Sequence, residues 1–190
     1  MKIRRIFGNR KDGRLWAVCY PGDVKGEKNI DIFQKLITLW NDTQYLTHFF
    51  LGHNNELSTS FWGYMSIDNA VDKVLDEIGD LENELYSIEN KLQGFENIAL
   101  SDIFKPLHTN IYSLNFSNER FRKAKPNFNK PMLRIYAIEL EDQSLVITSG
   151  AIKLLKDMKG DIFEDEKYKL NKVRDFLKSE GISDAEGLKQ

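Results

Sequence analysis

Apolar residues recur at helical spacing in two long segments of the first half of the chain. Between Ile30 and Phe50 they fall about every three to four positions, which predicts one helix that ends near Gly52. The second segment is the most regular in the sequence, because its apolar residues step alternately by three and by four positions. They are Val71, Val74, Ile78, Leu81, Leu85, Ile88 and Leu92. Ser66 and Gly94 are typical helix-capping residues, so we expect a helix over 66–93.

The opposite side of this second predicted helix is acidic. It carries Asp72, Asp76, Glu77, Asp80, Glu82, Glu84 and Glu89. Two arrangements fit an apolar stripe beside an acidic face: a coiled coil between two chains, or a helical hairpin in which the stripe packs on helix 30–50. Three heptads are close to the minimum for an independent coiled coil, so the pattern favours the hairpin.

Short β-prone segments lie on both sides of these helices. The predicted strands are 3–7, 14–20, 111–116, 132–140 and 144–152. The first two form an N-terminal hairpin, and the last two form a second hairpin. Residues 117–131 are polar, basic and punctuated by proline, which predicts a loop. An amphipathic helix over 164–179 closes the chain, and Gly181 ends it.

This order of elements predicts an α+β fold. We expect an antiparallel sheet with an N-terminal β-hairpin, a helical hairpin and a closing C-terminal helix. A chain of 190 residues suits a single domain over 1–190, with the N-terminal hairpin and the acidic helices in 1–103 and the sheet and closing helix in 104–190. A hydrophobic content of 41% allows a packed core and excludes an intrinsically disordered chain.

Composition excludes several classes of protein. No apolar run is long enough to cross a bilayer, and the charged N-terminus does not resemble a secretory signal, so we expect a cytoplasmic protein without a membrane partner. The single cysteine, Cys19, lies in a predicted strand, which favours a buried structural thiol. One cysteine and three histidines make a poor zinc site, and no nucleotide-binding glycine motif is present. We therefore expect no metal and no cofactor.

Basic residues concentrate in the second half of the chain, although the formal net charge is −2. Strand alternation places Arg134 and Tyr136 on one face of the strand 132–140. The other basic candidates are Arg120, Arg122, Lys123, Lys125 and Lys130 in the predicted loop, and Lys153, Lys156 and Lys159 after the last strand. Phe121 and Phe128 interleave with the loop cations, and cations beside exposed rings suit single-stranded RNA. Long cationic side chains that only cover the surface of the fold are the alternative interpretation.

Three short motifs lie between residues 105 and 160. The first is Lys105-Pro106-Leu107 together with Tyr112 and Leu114. The second is Arg134-Ile135-Tyr136, and the third joins Val146-Ile147 to Gly150-Ala151-Ile152-Lys153. Together these motifs resemble the RelE/HigB toxin superfamily. Because a long segment precedes them, the chain resembles an enlarged member of that superfamily.

The resemblance implies the toxin of a type II toxin-antitoxin system. Such a toxin is a metal-independent endoribonuclease that cleaves mRNA in the ribosome, by attack of a 2′-hydroxyl on the adjacent phosphate. In this interpretation Arg134 and Lys153 stabilise the charge on the phosphate, and Tyr136 orients the substrate or donates a proton. The RNA-binding residues are Arg120, Arg122, Lys123, Lys125, Lys130, Lys156 and Lys159. The implied partners are a cognate helix-turn-helix antitoxin, mRNA and the ribosome.

A second interpretation keeps the same scaffold without catalysis. The predicted strand Ser113-Leu114-Asn115-Phe116 carries no Lys or Arg, where the superfamily pattern has basic residues. This departure favours a RelE-like binding module that holds a helix-turn-helix partner through the acidic helices or the face of the sheet. The sequence leaves both functions open.

Overall fold

The computed structural model describes residues 1–6, 14–21, 30–95, 97–107, 120–155 and 161–189. Its strands are β1 (Lys2–Arg5), β2 (Leu15–Cys19), β3 (Lys105–Pro106), β4 (Arg120–Ala124), β5 (Leu133–Glu139) and β6 (Leu145–Ile152). Its α-helices are α1 (Ile32–Trp40), α2 (Thr43–Gly52), α3 (Asn54–Leu57), α4 (Ile67–Glu89), α5 (Leu100–Ile103) and α6 (Asp161–Ser179). The strands form one sheet in the order β1-β2-β6-β5-β4-β3, which confirms the α+β class.

The sheet is antiparallel except at one pair of strands. β1 and β2 pair as the predicted N-terminal hairpin, and β5 and β6 pair as the second hairpin. β2 runs parallel to β6, so the expectation of a wholly antiparallel sheet is wrong at this pair. The reason lies in the connection, since the chain leaves β2, forms five helices and re-enters the sheet before it reaches β6. A long crossover of this kind permits parallel pairing, whereas a tight turn does not.

The predicted helix over residues 30–50 is two helices. Asn41 caps the end of α1, where its backbone N–H donates to the carbonyl of Ile37 at 3.0 Å. The carboxylate of Asp42 then accepts from the backbone N–H of Tyr45 at 3.1 Å and begins α2. Asparagine and aspartate stabilise helix ends, and here two of them stand side by side. The apolar spacing continues across the break, which is why periodicity alone predicts a single helix.

The second long helix matches its predicted start and is shorter at its end. The hydroxyl of Ser66 accepts from the backbone N–H of Asn69 at 3.2 Å, as an N-cap does. The apolar stripe is buried as far as Ile88, while Leu92 lies beyond the helix and is 42% exposed. α4 packs against α1 and α2 of the same chain, which confirms the intrachain packing.

Two acids on the predicted outer face of α4 are buried. The side chain of Glu77 is completely buried, and its carboxylate accepts from the backbone N–H groups of Met132 and Leu133, each at 2.8 Å. Lys73 lies 3.1 Å from the same carboxylate. Glu89 accepts from the backbone N–H of Arg14 at 3.0 Å. A buried carboxylate needs such donors, and both acids therefore attach α4 to the sheet rather than face solvent.

Part of the predicted loop over 117–131 is a strand. β4 pairs with β5 in antiparallel register, with Lys123 opposite Tyr136. The sequence of β4 is basic and has little strand propensity, so the pairing with β5 decides its conformation. The predicted strand over 111–116 lies outside the described residues.

The two faces of the sheet carry separate hydrophobic clusters. Leu133, Ile135 and Ala137 pack towards the helices α1 to α5. Tyr136 and Ile138 point to the other face, where α6 packs on β5 and β6. This confirms the predicted alternation along β5 and the closing helix. Across the ranges given above, no helix has both the length and the apolar character to cross a membrane.

The Glu77 carboxylate gives a test of this packing. We expect Glu77→Gln to lower the free energy of unfolding by about 1.5–3 kcal/mol, because a neutral amide accepts these hydrogen bonds more weakly than a carboxylate and loses the ion pair with Lys73. The measurement is urea denaturation followed by circular dichroism. Glu82→Gln on the same helix is the matched control, with an expected change below about 0.5 kcal/mol. Equal effects of the two substitutions would contradict the assigned role of Glu77.

Candidate nucleic-acid interface

Four cations gather on the face of the sheet that α6 partly covers. They are Lys123, Lys125, Arg134 and Lys153, and we call them the basic cluster. Cross-strand register places Lys123 opposite Tyr136 and Arg134 opposite Ala151, so these side chains share one face. Alternation places residues 125 and 153 on the same face, just beyond the ends of β4 and β6. The cluster thus joins three neighbouring strands.

Lys123 lies in the middle of this positive charge. Burial lowers the pKa of Lys123, and the positive charges of Arg134, Lys153 and Lys125 lower it further, in that order. Both causes disfavour the protonated ammonium group. Lys123 therefore gives up its proton more readily than an ordinary lysine, a property that the sequence did not indicate.

Arg134 is buried to 9% exposure and is held by its own strand. Its Nη1 donates to the backbone carbonyl of Pro131 at 2.9 Å and to that of Leu133. Burial lowers the pKa of Arg134, and the negative charge of Glu77 opposes this shift. Arginine still keeps its charge at physiological pH. The hydrogen bonds that Arg134 makes with described residues all leave from Nη1, so Nε and Nη2 retain donors for an anion.

Tyr136 is completely buried beneath the cluster. Burial raises the pKa of Tyr136 far above its ordinary value, and the negative charge of Glu166 raises it further. The phenol therefore keeps its proton and does not reach the surface of the sheet. Both roles predicted for this residue, orientation of the substrate and proton donation to it, need a phenol that contacts the ligand, and complete burial argues against each.

Two of the predicted RNA-binding cations lie away from the basic cluster. Arg122 alternates to the opposite face of β4, where it is buried and forms an ion pair with Glu139. Lys130 donates to the carbonyl of Phe61 at 2.7 Å, and its Nζ lies 4.8 Å from the centre of that ring. The burial and ion pair of Arg122 argue against the predicted RNA contact, whereas Lys130 is exposed and its RNA contact stays a prediction. Arg122 points away from the basic cluster because β4 is a strand, in which successive side chains alternate between the two faces. The predicted loop would not impose this alternation.

The aromatic residues of the same segment are also engaged within the fold. Phe121 packs against the core beneath α6, and the ring of Phe128 lies 5.4 Å from Lys73 Nζ. They are therefore not the free stacking surfaces that the sequence suggested. Among the remaining candidates, the side chain of Arg120 and the whole of Lys156 and Lys159 lie outside the described residues.

Cys19 and His53 are both engaged within the fold, whereas His48 is exposed on α2. Cys19 is buried in β2, as predicted, and burial raises the pKa of its thiol, which disfavours the nucleophilic thiolate. His53 ends α2, with Nδ1 2.8 Å from the carbonyl of Phe49. Within the part of the chain that the structure describes, no group of three His, Cys, Asp or Glu side chains lies together as a metal site requires.

The environment of Lys123 can be measured directly. We expect Arg134→Ala to raise the pKa of Lys123, because it removes the positive charge that contributes most to disfavouring protonation. An NMR titration of the side-chain carbons of lysine gives this pKa. Lys178→Gln is the control, because it removes a positive charge from a distant part of α6. Glu166 is the α6 residue whose charge acts on Tyr136. Lys178 lies about 18 Å along the helix from Glu166. A Lys123 pKa that is the same in all three proteins would refute the clustering.

Comparisons with known proteins do not assign this chain to a family. No protein-family model, no curated protein and no solved structure matches the chain. The function of the basic cluster is therefore inferred from the chemistry of its side chains and from the short motifs between residues 105 and 160.

Proposed function

We propose that this chain is an endoribonuclease of the RelE/HigB toxin type that cleaves mRNA in the ribosome, in the cytoplasm. The observation that carries the proposal is the basic cluster itself. Lys123, Lys125 and Arg134 form no ion pair with any acidic side chain of the described residues, although their charges repel one another. A bound phosphate relieves this repulsion and meets the remaining donors of Arg134.

The proposed reaction needs no metal. The 2′-oxygen of one nucleotide gives up its proton to a base and attacks the adjacent phosphorus, and the bond from phosphorus to the 5′-oxygen breaks. The 5′-oxygen takes a proton from water, so the products are a cyclic phosphate and a free 5′-hydroxyl. Arg134 stabilises the charge that grows on the non-bridging oxygens in the transition state. Lys125 and Lys153 bind the neighbouring phosphates of the strand.

Lys123 is the proposed general base in this scheme. Its lowered pKa raises the fraction of neutral amine that can take the proton of the 2′-hydroxyl. Only the neutral form accepts a proton, so activity rises with pH until the pH passes the pKa of Lys123. This role differs from the simple phosphate contact that the sequence suggested for the residue.

The same proposal includes a cognate antitoxin. This antitoxin is a small helix-turn-helix protein. It binds the chain and keeps it inactive by covering the basic cluster or neutralising its charge. An acidic segment of the antitoxin has the chemistry to do so, since carboxylates pair with Arg134 and Lys123 in place of phosphate.

One observation favours the non-catalytic binding module as a second candidate. Tyr136 is fully buried, and one nitrogen of Arg134 is already bound to backbone carbonyls. A module of this kind needs the cluster only to bind a partner. The two candidates differ in whether loss of Arg134 abolishes toxicity or only weakens binding.

Inducible expression of the chain in a bacterium separates them. We expect the wild type to arrest growth and Arg134→Ala to abolish the arrest, because loss of one preorganised donor to a developing oxyanion costs about 100- to 1000-fold in rate. Arg134→Lys keeps the charge, loses the planar pair of donors and should also be impaired. Primer extension on cellular mRNA identifies the cleavage sites.

Arg174→Ala is the control for this experiment. Arg174 lies on α6, pairs with Asp175 and is not part of the basic cluster, so its loss should leave growth arrest intact. Melting temperatures establish that each variant is folded. Full toxicity of a folded Arg134→Ala variant would overturn the catalytic assignment, and a harmless wild type would favour the binding module.

A further inference from the structure

A cavity of about 550 Å³ lies at an open part of the sheet, and its described lining residues include no member of the basic cluster. β2 pairs with β6 over Leu145–Ile147, and within the described residues no further strand pairs with β6 on that side. Gly150, Ala151 and Ile152 form the floor of the cavity. α1 and α2 line one side, and α6 lines the other. This volume suits a small-molecule ligand.

Aromatic side chains form much of the wall. Trp40, Tyr45 and Phe49 line it from the helical side, and Tyr20 and Tyr168 line it from the other side. The rings of Tyr45 and Phe49 are stacked, with centroids 6.3 Å apart and planes 28° apart. Tyr45 is 36% exposed and Tyr168 is 65% exposed, so the wall is open to an incoming ligand. Such rings bind flat, conjugated groups by stacking.

A buried carboxylate with an unused oxygen lines the same cavity. Glu166 is 4% exposed, and its Oε1 lies 2.6 Å from Lys169 Nζ. Its Oε2 is buried and has no hydrogen-bond partner among the described residues. An unpaired carboxylate oxygen in this position is costly, because it has lost its water without gaining a donor. A ligand with N–H groups would supply that donor.

Lysine side chains give the cavity a positive balance. Lys35, Lys169 and Lys172 line it, and Glu166 is the one acid among its described lining residues. Lys172 Nζ lies 5.9 Å from the ring centre of Tyr20 and 5.8 Å from that of Tyr168. An anionic group on the ligand is therefore favoured beside the aromatic wall.

We propose that this cavity binds a guanine nucleotide, either free or as one residue of a single-stranded RNA. The purine ring stacks on the aromatic wall, and the N1–H and N2–H groups of guanine donate to the carboxylate of Glu166. The phosphate contacts the lysines. Adenine presents an acceptor nitrogen at N1 and lacks the N2 amino group, so it repels the carboxylate where guanine satisfies it. The described lining of the cavity includes no residue of the basic cluster, so this proposal stands apart from the proposed function.

Calorimetric titration of the full chain tests the proposal with 5′-GMP, 5′-AMP and guanosine. We expect 5′-GMP to bind at least tenfold more tightly than 5′-AMP, and guanosine to bind more weakly than 5′-GMP because it lacks the phosphate. Glu166→Gln should weaken 5′-GMP binding at least tenfold, because its amide presents N–H groups to the donors of guanine. Glu164→Gln is the matched control, since Glu164 lies on the same helix with a side chain that is 66% exposed.

A second variant keeps the test decisive if Glu166→Gln does not fold. Tyr45→Leu removes a partly exposed stacking ring and should also weaken 5′-GMP binding about tenfold. No binding of 5′-GMP, equal affinity for 5′-GMP and 5′-AMP, or full affinity in a folded Glu166→Gln variant would overturn the proposal.

A single-stranded oligonucleotide with one guanine distinguishes the two sources of the ligand. If the oligonucleotide displaces 5′-GMP and binds more tightly than it, the cavity reads a guanine within RNA. If 5′-GMP binds and the oligonucleotide does not displace it, the cavity holds the free nucleotide. Both results support guanine recognition, and displacement by an oligonucleotide without guanine would contradict it.

Discussion

The position of the basic cluster depends on one buried carboxylate, that of Glu77. It accepts from the backbone N–H groups of Met132 and Leu133 and lies beside Lys73, so it fixes α4 to the first residues of β5. Arg134 follows directly, and its Nη1 donates to the carbonyl of Leu133 in the same short segment. A charge buried in a low-dielectric interior is tolerated only with such a set of donors. The same contact therefore holds the helical layer on the sheet and supports the strand that carries Arg134.

Features that depend on local periodicity could be predicted from the sequence, and features that depend on a distant partner could not. The stripe of α4 and the alternation along β5 are local, and both are confirmed. From its position in the sequence, Glu77 looks like one more acid on the exposed face of α4. The backbone N–H groups that donate to its carboxylate lie more than 50 residues away in the chain. β4 has the composition of a loop and becomes a strand because β5 offers it an edge. The parallel pairing of β2 with β6 likewise depends on the long helical crossover.

The two candidate sites differ in how much of them the sequence reveals. Alternation along one strand indicates that Arg134 and Tyr136 share a face, but it gives no information on burial, which removes Tyr136 from the surface. Lys123 lies on the same face as Arg134 and Tyr136 because β4 is a strand that pairs with β5. The cavity beside Glu166 combines side chains from two helices, a strand edge and the closing helix, and no spacing in the sequence connects them. The feature that identifies the cavity as a binding site is the buried Oε2 of Glu166, which has no hydrogen-bond donor among the described residues. The sequence alone does not show this.

The salt dependence of RNA binding tests most directly whether the basic cluster contacts phosphate. Each lysine that pairs with a phosphate of a single strand contributes about 0.7 to the slope of log K against log salt concentration. For Lys125→Gln/Lys153→Gln, the account predicts a slope smaller in magnitude by about 1.4 than that of the wild type. The control is Lys178→Gln/Lys189→Gln, which removes two lysines near the C-terminus and should leave the slope unchanged. An unchanged slope in the first variant would contradict phosphate binding by the basic cluster.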